Sequence, residues 1–229
     1  MRVYIEWIPC RSMDEELLQK SVLIVGAGGI GTTVVDLLVP ALERIELSAK
    51  ITLMDGDVVE TSNLGHQNYS TFDIGKMKVA ALAKKWQQNH FVELVSKKEN
   101  LRTGGQLEGY DLVVVCVDRP EPRRLVHTLD VPWIDLRCSG DGWMVLSSDS
   151  DSNLVRQLTP DHEPMSCQIE GALDAGNLEF GFSISGTFGA QWVLQQLRQN
   201  RAPTESIGSL TYGAFEFPDV KETQVEVTA

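Results

Sequence analysis

A short apolar run followed by closely spaced glycines constrains this chain more than any other feature. Residues 22–25 are typical of a strand buried on both faces, and Gly26, Gly28 and Gly31 follow in the spacing G-x-G-x-x-G, with Gly29 inside the turn. Such a turn leads into a helix and exposes backbone N–H groups, to which phosphates bind. The turn therefore predicts a nucleotide site; a glycine-rich turn without a ligand is the alternative.

The segment after the glycines completes a β-α-β unit. Apolar residues from Ile30 to Ile45 recur at helical spacing, and Pro40 predicts that this helix kinks or ends about midway. A second buried strand covers residues 51–54 and ends at Asp55. An acidic residue at this position commonly binds the ribose of a nucleotide, whereas the alternative is a carboxylate that caps a turn.

A later strand repeats this arrangement. Residues 111–117 form the strongest apolar run of the second half, and Asp118 follows it. Ligands of open α/β sheets bind outside the carboxyl ends of the strands, so Asp55 and Asp118 are predicted at one edge. Cys116, within the run, is predicted to be a buried apolar residue.

The remaining elements complete the predicted fold. We expect strands at 3–7, 132–136, 143–147 and 210–217, helices at 13–20, 76–90 and 183–198, a loose tail from Asp219, and a functional or mobile loop over 148–177. The fold class is α/β, a Rossmann-like mostly parallel sheet with helices on both faces and a short C-terminal antiparallel extension. We expect a single domain, 1–229, with its core at about 20–200.

Composition excludes several function classes. The net charge is −12 and the pI is near 4.8, without a basic stripe, which argues against nucleic-acid binding. The four cysteines, at 10, 116, 138 and 167, form no C-x-x-C pair, so no disulfide framework and no structural zinc are expected. The sequence has neither a signal-peptide pattern nor an apolar run long enough to cross a membrane. We therefore expect a cytoplasmic protein with no membrane partner.

Two motifs after the second strand resemble a known family. Residues 54–67, M-D-G-D-V-V-E-T-S-N-L-G-H-Q, and 73–78, D-I-G-K-M-K, resemble D-x-D-x-V-x-x-S-N-L-x-R-Q and I-G-x-x-K of the ThiF/MoeB group, the adenylyltransferases related to ubiquitin-activating enzymes. Residues 167–171, C-Q-I-E-G, look like the C-x-x-x-G segment that bears that family's reactive cysteine. The resemblance covers about 20–198 and is strongest up to Asp118.

The resemblance implies an activity and a set of site residues. In this family the C-terminal carboxylate of a small ubiquitin-like or sulfur-carrier protein attacks the α-phosphate of ATP and forms an acyl adenylate. It implies a homodimer, and the helix at 183–198 carries two aromatic residues, Phe188 and Trp192, for such an interface. The implied catalytic residues are Lys78 at the phosphates, Asp118 holding Mg²⁺, and the thiol of Cys167. The implied nucleotide-binding residues are Gly26, Gly28, Gly29, Gly31, Asp55 at the ribose, Asp57, Asn63, His66, Gln67 and Lys78.

Each of these roles has an ordinary alternative. Lys78 could be one of several exposed lysines, and Asn63 a turn residue. Cys167 could be an ordinary loop cysteine, with Cys138, beside Arg137, as its rival for the reactive thiol.

The chain departs from the family in three places. The arginine of N-L-x-R-Q is His66, an imidazole that is mostly neutral at pH 7. The arginine segment that usually precedes the glycine strand is not recognisable, and Arg11 is a weak substitute. The two C-x-x-C pairs that bind zinc in many members are missing, as in a zinc-free branch of the family.

Two other functions remain open. A non-catalytic ThiF-like subunit, which binds nucleotide or a ubiquitin-like protein, is favoured by His66 and by the missing arginine segment. An NAD-dependent oxidoreductase would account for the glycine turn and Asp55, but it leaves the S-N-L-x-x-Q and I-G-x-x-K segments without a role.

Overall fold

A computed structural model describes residues 19–218 except Met165 and Glu170. The strands are β1 Lys20–Val25, β2 Ala49–Met54, β3 Val92–Lys97, β4 Leu112–Val115, β5 Trp133–Ser139, β6 Gly142–Ser147, β7 Ser206–Ser209 and β8 Gly213–Phe215. The helices are α1 Gly29–Arg44, α2 Lys78–Lys85, α3 Pro120–Val126, α4 Ser152–Gln157 and α5 Gly181–Leu197. The predicted strand at 3–7, Arg11, the tail from Asp219 and most of the predicted helix at 13–20 lie outside the described residues.

The strands form one sheet in the order β3-β2-β1-β4-β5-β6-β7-β8. The first five strands pair in parallel, and β5 to β8 pair antiparallel. The predicted fold class, with its antiparallel extension, is confirmed. Because β1 lies between β2 and β4, the chain order reverses beside β1, and a crevice opens there at the carboxyl ends of the strands.

Helix α1 runs through Pro40, so the prediction that it ends midway was wrong. Proline removes one helical hydrogen bond, which costs about 3 kcal/mol. The Pro40 ring lies on the exposed side of the helix, whereas Val34 and Leu38 before it and Leu42 after it are buried. The continuous apolar face on the sheet offsets the lost bond.

Several predicted bounds also change. Strand β3 was missed because it is an edge strand whose residues after Val92 are only partly buried or exposed. Strand β4 ends at Val115, so Cys116 to Asp118 follow it as a loop. The predicted loop 148–177 contains α4, whose N-terminus is capped by Asp151 accepting from the N–H groups of Asn153 and Leu154. Helix α2 is shorter than 76–90. The predicted strand 210–217 covers β8 and the turn before it, whereas β7 precedes the predicted range.

Helix α5 packs tightly against α1 and β5. A Cβ atom on Gly186 would lie 2.5 Å from the Cβ of Thr33, and one on Gly189 would lie 2.4 Å from a methyl group of Leu136. Trp192, on the same helix, is fully buried within the chain. It is therefore not exposed for a second subunit, and the homodimer stays a prediction.

The tight α1–α5 contact generates a stability prediction. Gly186→Val should lower the free energy of unfolding by about 1–3 kcal/mol, because two added methyl groups have no space against Thr33. Urea denaturation measures the change. Gln191→Val, at an exposed position of the same helix, is the control and should change stability by less than about 0.5 kcal/mol. Equal losses in the two variants would contradict close packing at Gly186.

Candidate functional site

A cavity of about 760 Å³ opens at the crevice beside β1. It lies where β1, β2 and β4 end, and the loop that holds Cys167 forms another part of its wall. Ten of the predicted site residues line it: Gly26, Gly28, Gly29, Asp55, Asp57, His66, Gln67, Lys78, Asp118 and Cys167. Segments far apart in the sequence therefore meet around one space large enough for a small-molecule ligand.

The glycine turn is packed against the end of β4. Gly26 has a positive φ of 104°, and a Cβ atom there would lie 2.7 Å from the carbonyl oxygen of Cys116. A Cβ atom on Gly31 would lie 2.1 Å from the carbonyl oxygen of Gly26. Gly31 thus allows the close packing of the turn, but it does not line the cavity. The thiol of Cys116 donates to the carbonyls of Val25 and Gly26, and burial raises its pKa to about 12. Cys116 is therefore a structural residue, as predicted.

Asp55 joins the glycine turn to the end of β2. Its carboxylate accepts hydrogen bonds from the N–H groups of Ala27, at 2.7 Å, and Asp57, at 2.8 Å. Burial raises its pKa, while these two hydrogen bonds and the charge of Lys78 oppose that effect. Carboxylate oxygens accept more than one hydrogen bond, so Asp55 remains able to accept from a ligand hydroxyl.

Lys78 is a buried lysine at the first position of α2. Its side chain is 10% exposed, and its Nζ lies 3.3 Å from the carboxylate of Asp57, which is 64% exposed. The alternative of an ordinary exposed lysine is therefore excluded for Lys78. A buried ammonium group with one solvent-facing partner places a positive charge on the cavity wall.

His66 and Gln67 lie beside Lys78 with polar atoms that have no partner. Among the described residues, Nδ1 of His66 and Oε1 of Gln67 are buried and unpaired. The Gln67 amide lies 3.4 Å from Nε2 of His66. Burial and the nearby charge of Lys78 lower the pKa of His66, so its imidazole is neutral at pH 7. Where the family motif has a permanent cation, this cavity has a neutral ring.

Asn63 lies outside the cavity. Its Oδ1 accepts from the N–H of Glu60 at 2.9 Å and caps a 3₁₀ turn over Thr61–Asn63. This contact matches the alternative of a turn residue. In this structure Asn63 acts on a ligand only indirectly, by holding the turn that precedes His66.

Several cavity residues were missed by sequence reasoning. They are mainly polar or charged residues beyond the family motifs: Asn100, Arg102, Arg119, Glu121, Arg123, Arg137 and His162. Asn100 follows β3, the missed strand, and its side chain accepts from the N–H of Gly56 at 2.9 Å. Recognition of β3 would have placed Asn100 at the carboxyl edge of the sheet.

A buried charge cluster supports the β5 side of the cavity. Asp135, fully buried, accepts hydrogen bonds from Arg123, Arg137 and His127. Burial lowers the pKa of Arg123 to about 9 and that of Arg137 to about 10, so both remain charged at pH 7. Burial, followed by the neighbouring arginines, lowers the pKa of His127 to about 3. Two guanidinium groups against one carboxylate leave one net positive charge in the cluster.

Two thiols face the cavity on the same side. Cys138 belongs to β5, and Cys167 belongs to the long loop between α4 and α5. Cys167 is partly buried and packs against the core, within the predicted loop 148–177. Its carbonyl accepts from the N–H of Gly140 at 2.9 Å, which ties this part of the loop to the end of β5.

The residue after Cys167 closes the loop that follows. The Gln168 amide donates to the carbonyl of Glu179 at 2.8 Å and accepts from its N–H at 2.9 Å. Gln168 is buried, so this pair of bonds acts as a clip between the start and the end of the segment 169–178.

Within residues 19–218, Met165 and Glu170 aside, no helix is long and apolar enough to cross a membrane. No group of three or more histidine, cysteine and acidic side chains there is arranged to hold a metal ion.

The open parallel sheet with a glycine turn at its crevice defines a Rossmann-like α/β protein. The model of the ThiF family matches residues 7–226. The chain belongs to the ThiF family, and the resemblance found in its motifs is confirmed.

Curated relatives carry names from two related groups. The chain is 36% identical over 119 residues to the sulfur carrier protein adenylyltransferase of Thermus thermophilus, covering 50% of this chain and 42% of that protein. It is 34% identical over 141 residues to ubiquitin-like modifier-activating enzyme 5 of Aedes aegypti, covering 53% and 34%. It is 30% identical over 197 residues to adenylyltransferase and sulfurtransferase MOCS3 of Arabidopsis thaliana, covering 81% and 40%. The chain spans less than half the length of these relatives.

Solved structures show the same fold. The crystal structure of E. coli MccB with ATP matches with a TM-score of 0.65 at 17% identity, covering 90% of this chain and 65% of that one. The structure of PaaA matches with a TM-score of 0.62 at 20% identity, covering 86% and 63%.

The buried charge cluster generates a pH prediction. Because the pKa of His127 is lowered in the folded state, the unfolded chain binds its proton first as pH falls. His127 should therefore lower the free energy of unfolding progressively from about pH 6.5 to pH 3, by at most about 1.4 kcal/mol per pH unit. His127→Gln should flatten that part of the stability curve, measured by urea denaturation across this range.

The matched control is His90→Gln, at an exposed position. It should keep the wild-type slope, since this substitution leaves His127 and the Asp135 cluster unchanged. A wild-type slope in His127→Gln would show that His127 does not carry this pH dependence.

Proposed function

We propose that the chain is an ATP-dependent adenylyltransferase that activates the C-terminal carboxylate of a small ubiquitin-like or sulfur-carrier protein. One observation carries the proposal: Lys78 and Asp118 line the same cavity as the glycine turn, although they come from separate family motifs. The names of the relatives support the same class of reaction.

The cavity residues fit a nucleoside triphosphate. Backbone N–H groups of the glycine turn and the ammonium of Lys78 would bind the phosphates, and Asp55 would bind the ribose. Asp118 is exposed at the loop after β4, and Mg²⁺ is commonly held by one or two carboxylates together with substrate phosphates. Asp118 would hold Mg²⁺, which when bound would neutralise phosphate charge. The proposal includes no structural zinc.

Adenylation depends on positioning and electrostatic stabilisation by the protein more than on covalent catalysis. The carboxylate of the carrier attacks the α-phosphorus, a P–O bond to pyrophosphate breaks, and negative charge grows on the leaving oxygen. Lys78 stabilises that charge from a buried position, where its interaction is stronger than in water. In the catalytic set that we propose, the Cys167 thiolate then attacks the carbonyl carbon of the acyl adenylate, a C–S bond forms, the C–O bond to the phosphate breaks, and AMP leaves.

The proposal for partners follows the family. The carrier is a small ubiquitin-like or sulfur-carrier protein, which enters the cavity with its C-terminus. We also propose a homodimer in the cytoplasm.

Nucleotide choice is the first test. Mg·ATP should bind more tightly than NAD, because the cavity offers Lys78 and Asp118 to a triphosphate with its metal ion. Isothermal calorimetry with both ligands measures the difference. Tighter binding of NAD would overturn the proposal in favour of an oxidoreductase.

The catalytic roles of Lys78 and Asp118 are the second test. Lys78→Ala and Asp118→Ala should each lower carrier-dependent ATP–pyrophosphate exchange by roughly a hundredfold, about 2.7 kcal/mol of transition-state stabilisation. Lys84→Ala, an exposed lysine of the same helix, is the matched control and should keep full activity.

Thermal unfolding of each variant separates chemistry from folding. A variant that loses stability in proportion to activity would indicate a structural ion pair, which for Lys78 would be its contact with Asp57. A wild-type chain that binds Mg·ATP but exchanges no pyrophosphate with any carrier would favour the non-catalytic subunit instead.

A further inference from the structure

Tyr69, which lies between the two family motifs, contacts both parts of the site to which phosphate binding is assigned. Its hydroxyl donates to the carbonyl of Ala27, in the glycine turn, at 2.7 Å. The same hydroxyl lies 3.4 Å from the carbonyl oxygen of Lys78, at the start of α2. The shorter contact is the stronger hydrogen bond, and the longer one keeps the hydroxyl between the turn and the helix.

Ala27 is held at both of its backbone polar groups. Its N–H donates to the carboxylate of Asp55 at 2.7 Å, and its carbonyl accepts from Tyr69. Gly26 and Gly28 on either side have no side chains to restrict the backbone, and glycine adopts many conformations. The two hydrogen bonds of Ala27 therefore select the conformation of the turn.

The hydrogen bond from Tyr69 also sets the direction of the next N–H group. The described residues contain no cis peptide bond, and across a planar trans peptide the C=O and the N–H point in opposite directions. Because the carbonyl of Ala27 points at Tyr69, the N–H of Gly28 points away from it. The ring of Tyr69 packs against the hydrophobic core, whereas Gly28 lines the cavity, so this N–H faces the cavity.

The chain just before Tyr69 is itself fixed to α1. The side-chain amide of Asn68 donates to the carboxylate of Asp36, in α1, at 2.7 Å. The other oxygen of Asp36 accepts from the indole N–H of Trp86, which follows α2, at 2.8 Å. One carboxylate thus joins α1, the end of α2 and the segment that carries Tyr69, and this limits how far the hydroxyl can move.

The Tyr69 hydroxyl keeps its proton in the folded chain. Burial, followed by the charges of nearby carboxylates such as Asp55 and Asp36, raises the pKa of Tyr69 above its usual value. The hydroxyl therefore remains a donor to Ala27 at neutral pH.

We propose that Tyr69 is a positioning residue for the nucleotide phosphates, because its hydroxyl holds the Ala27–Gly28 peptide with the N–H of Gly28 directed at a phosphate oxygen. The inference rests on the proposed function for the identity of the ligand. Tyr69 acts through the glycine turn and does not touch the nucleotide. The first N–H groups of a helix have no acceptor within the helix, so the N–H of Gly28, at the start of α1, can donate to the ligand.

The first experiment labels this peptide unit in the full chain. Alanine with a ¹³C carbonyl and glycine with ¹⁵N give carbonyl-to-amide NMR signals from Ala27–Gly28 and Ala175–Gly176, since the sequence contains two Ala-Gly pairs. The second pair lies in an exposed segment and is the internal control. Saturating Mg·ATP should move the Gly28 amide proton downfield, as a hydrogen bond to phosphate does, and should leave the Gly176 signal unchanged.

The second experiment removes the hydroxyl and keeps the ring. Tyr69→Phe should weaken binding of Mg·ATP about five- to tenfold in calorimetry, the effect of one hydrogen bond, and should leave binding of adenosine, which has no phosphate, unchanged. The labelled carbonyl of Ala27 should shift in this variant without any ligand, because its donor is lost. Tyr212→Phe, at an exposed tyrosine, is the matched control and should bind both ligands as the wild type does.

Several outcomes would overturn the role of Tyr69. These are binding of Mg·ATP to the wild type without a shift of Gly28, unchanged binding of Mg·ATP to Tyr69→Phe, and equal weakening of Mg·ATP and adenosine in that variant, which would indicate a general structural role. If Tyr69→Phe does not fold, the labelling of the wild type decides.

Failure of this inference and failure of the proposed function give different results. A chain that binds Mg·ATP with the Gly28 shift but exchanges no pyrophosphate with a carrier would contradict the adenylyltransferase and leave the role of Tyr69 intact. Wild-type exchange by Tyr69→Phe at limiting ATP would contradict the role of Tyr69 alone. A chain that binds no Mg·ATP would overturn both.

Discussion

The site depends on one close contact, in which the carbonyl of Cys116 meets the backbone of Gly26. The ends of β1 and β4 approach so closely there that a side chain on Gly26 would lie 2.7 Å from that oxygen. The contact forces the chain to turn away from the sheet and to begin α1 at once. Asp55 then holds the turn from the other side through the N–H of Ala27. Contacts within the protein itself thus fix the ends of β1, β2 and β4 relative to one another.

The sequence was most informative where a strand is buried on both faces. Strands β1, β2 and β4 are short apolar runs, and β2 and β4 are followed by Asp55 and Asp118, so the edge at which these two carboxylates lie could be predicted. Strand β3 mixes polar and apolar residues without a regular alternation and lies at an edge, and without it Asn100 could not be placed. The alternation in I-D-L-R puts Asp135 and Arg137 on one face of β5, but their partners Arg123 and His127 come from α3 and its C-terminal end, a tertiary contact that no local pattern predicts.

Cationic side chains reach the cavity of a chain that is acidic as a whole. The chain carries a net charge of −12, whereas Lys78, Arg123 and Arg137 line the cavity together with acidic residues such as Asp55 and Asp118. At physiological ionic strength the charges of exposed groups are largely screened beyond about 8 Å. Buried ammonium and guanidinium groups are screened less. Attraction of an anion is therefore a short-range property of the cavity.

The clip made by Gln168 affects where the chain can accept insertions and deletions. Both ends of the segment 169–178 are held at one point by the two bonds between Gln168 and Glu179. The cost of closing a loop rises slowly with its length, so a longer or shorter segment beyond the clip would change the cost of closing it only slightly. Insertions or deletions within 169–178 would therefore leave the thiol in place. This stretch is where the chain could acquire new surface without rebuilding the cavity.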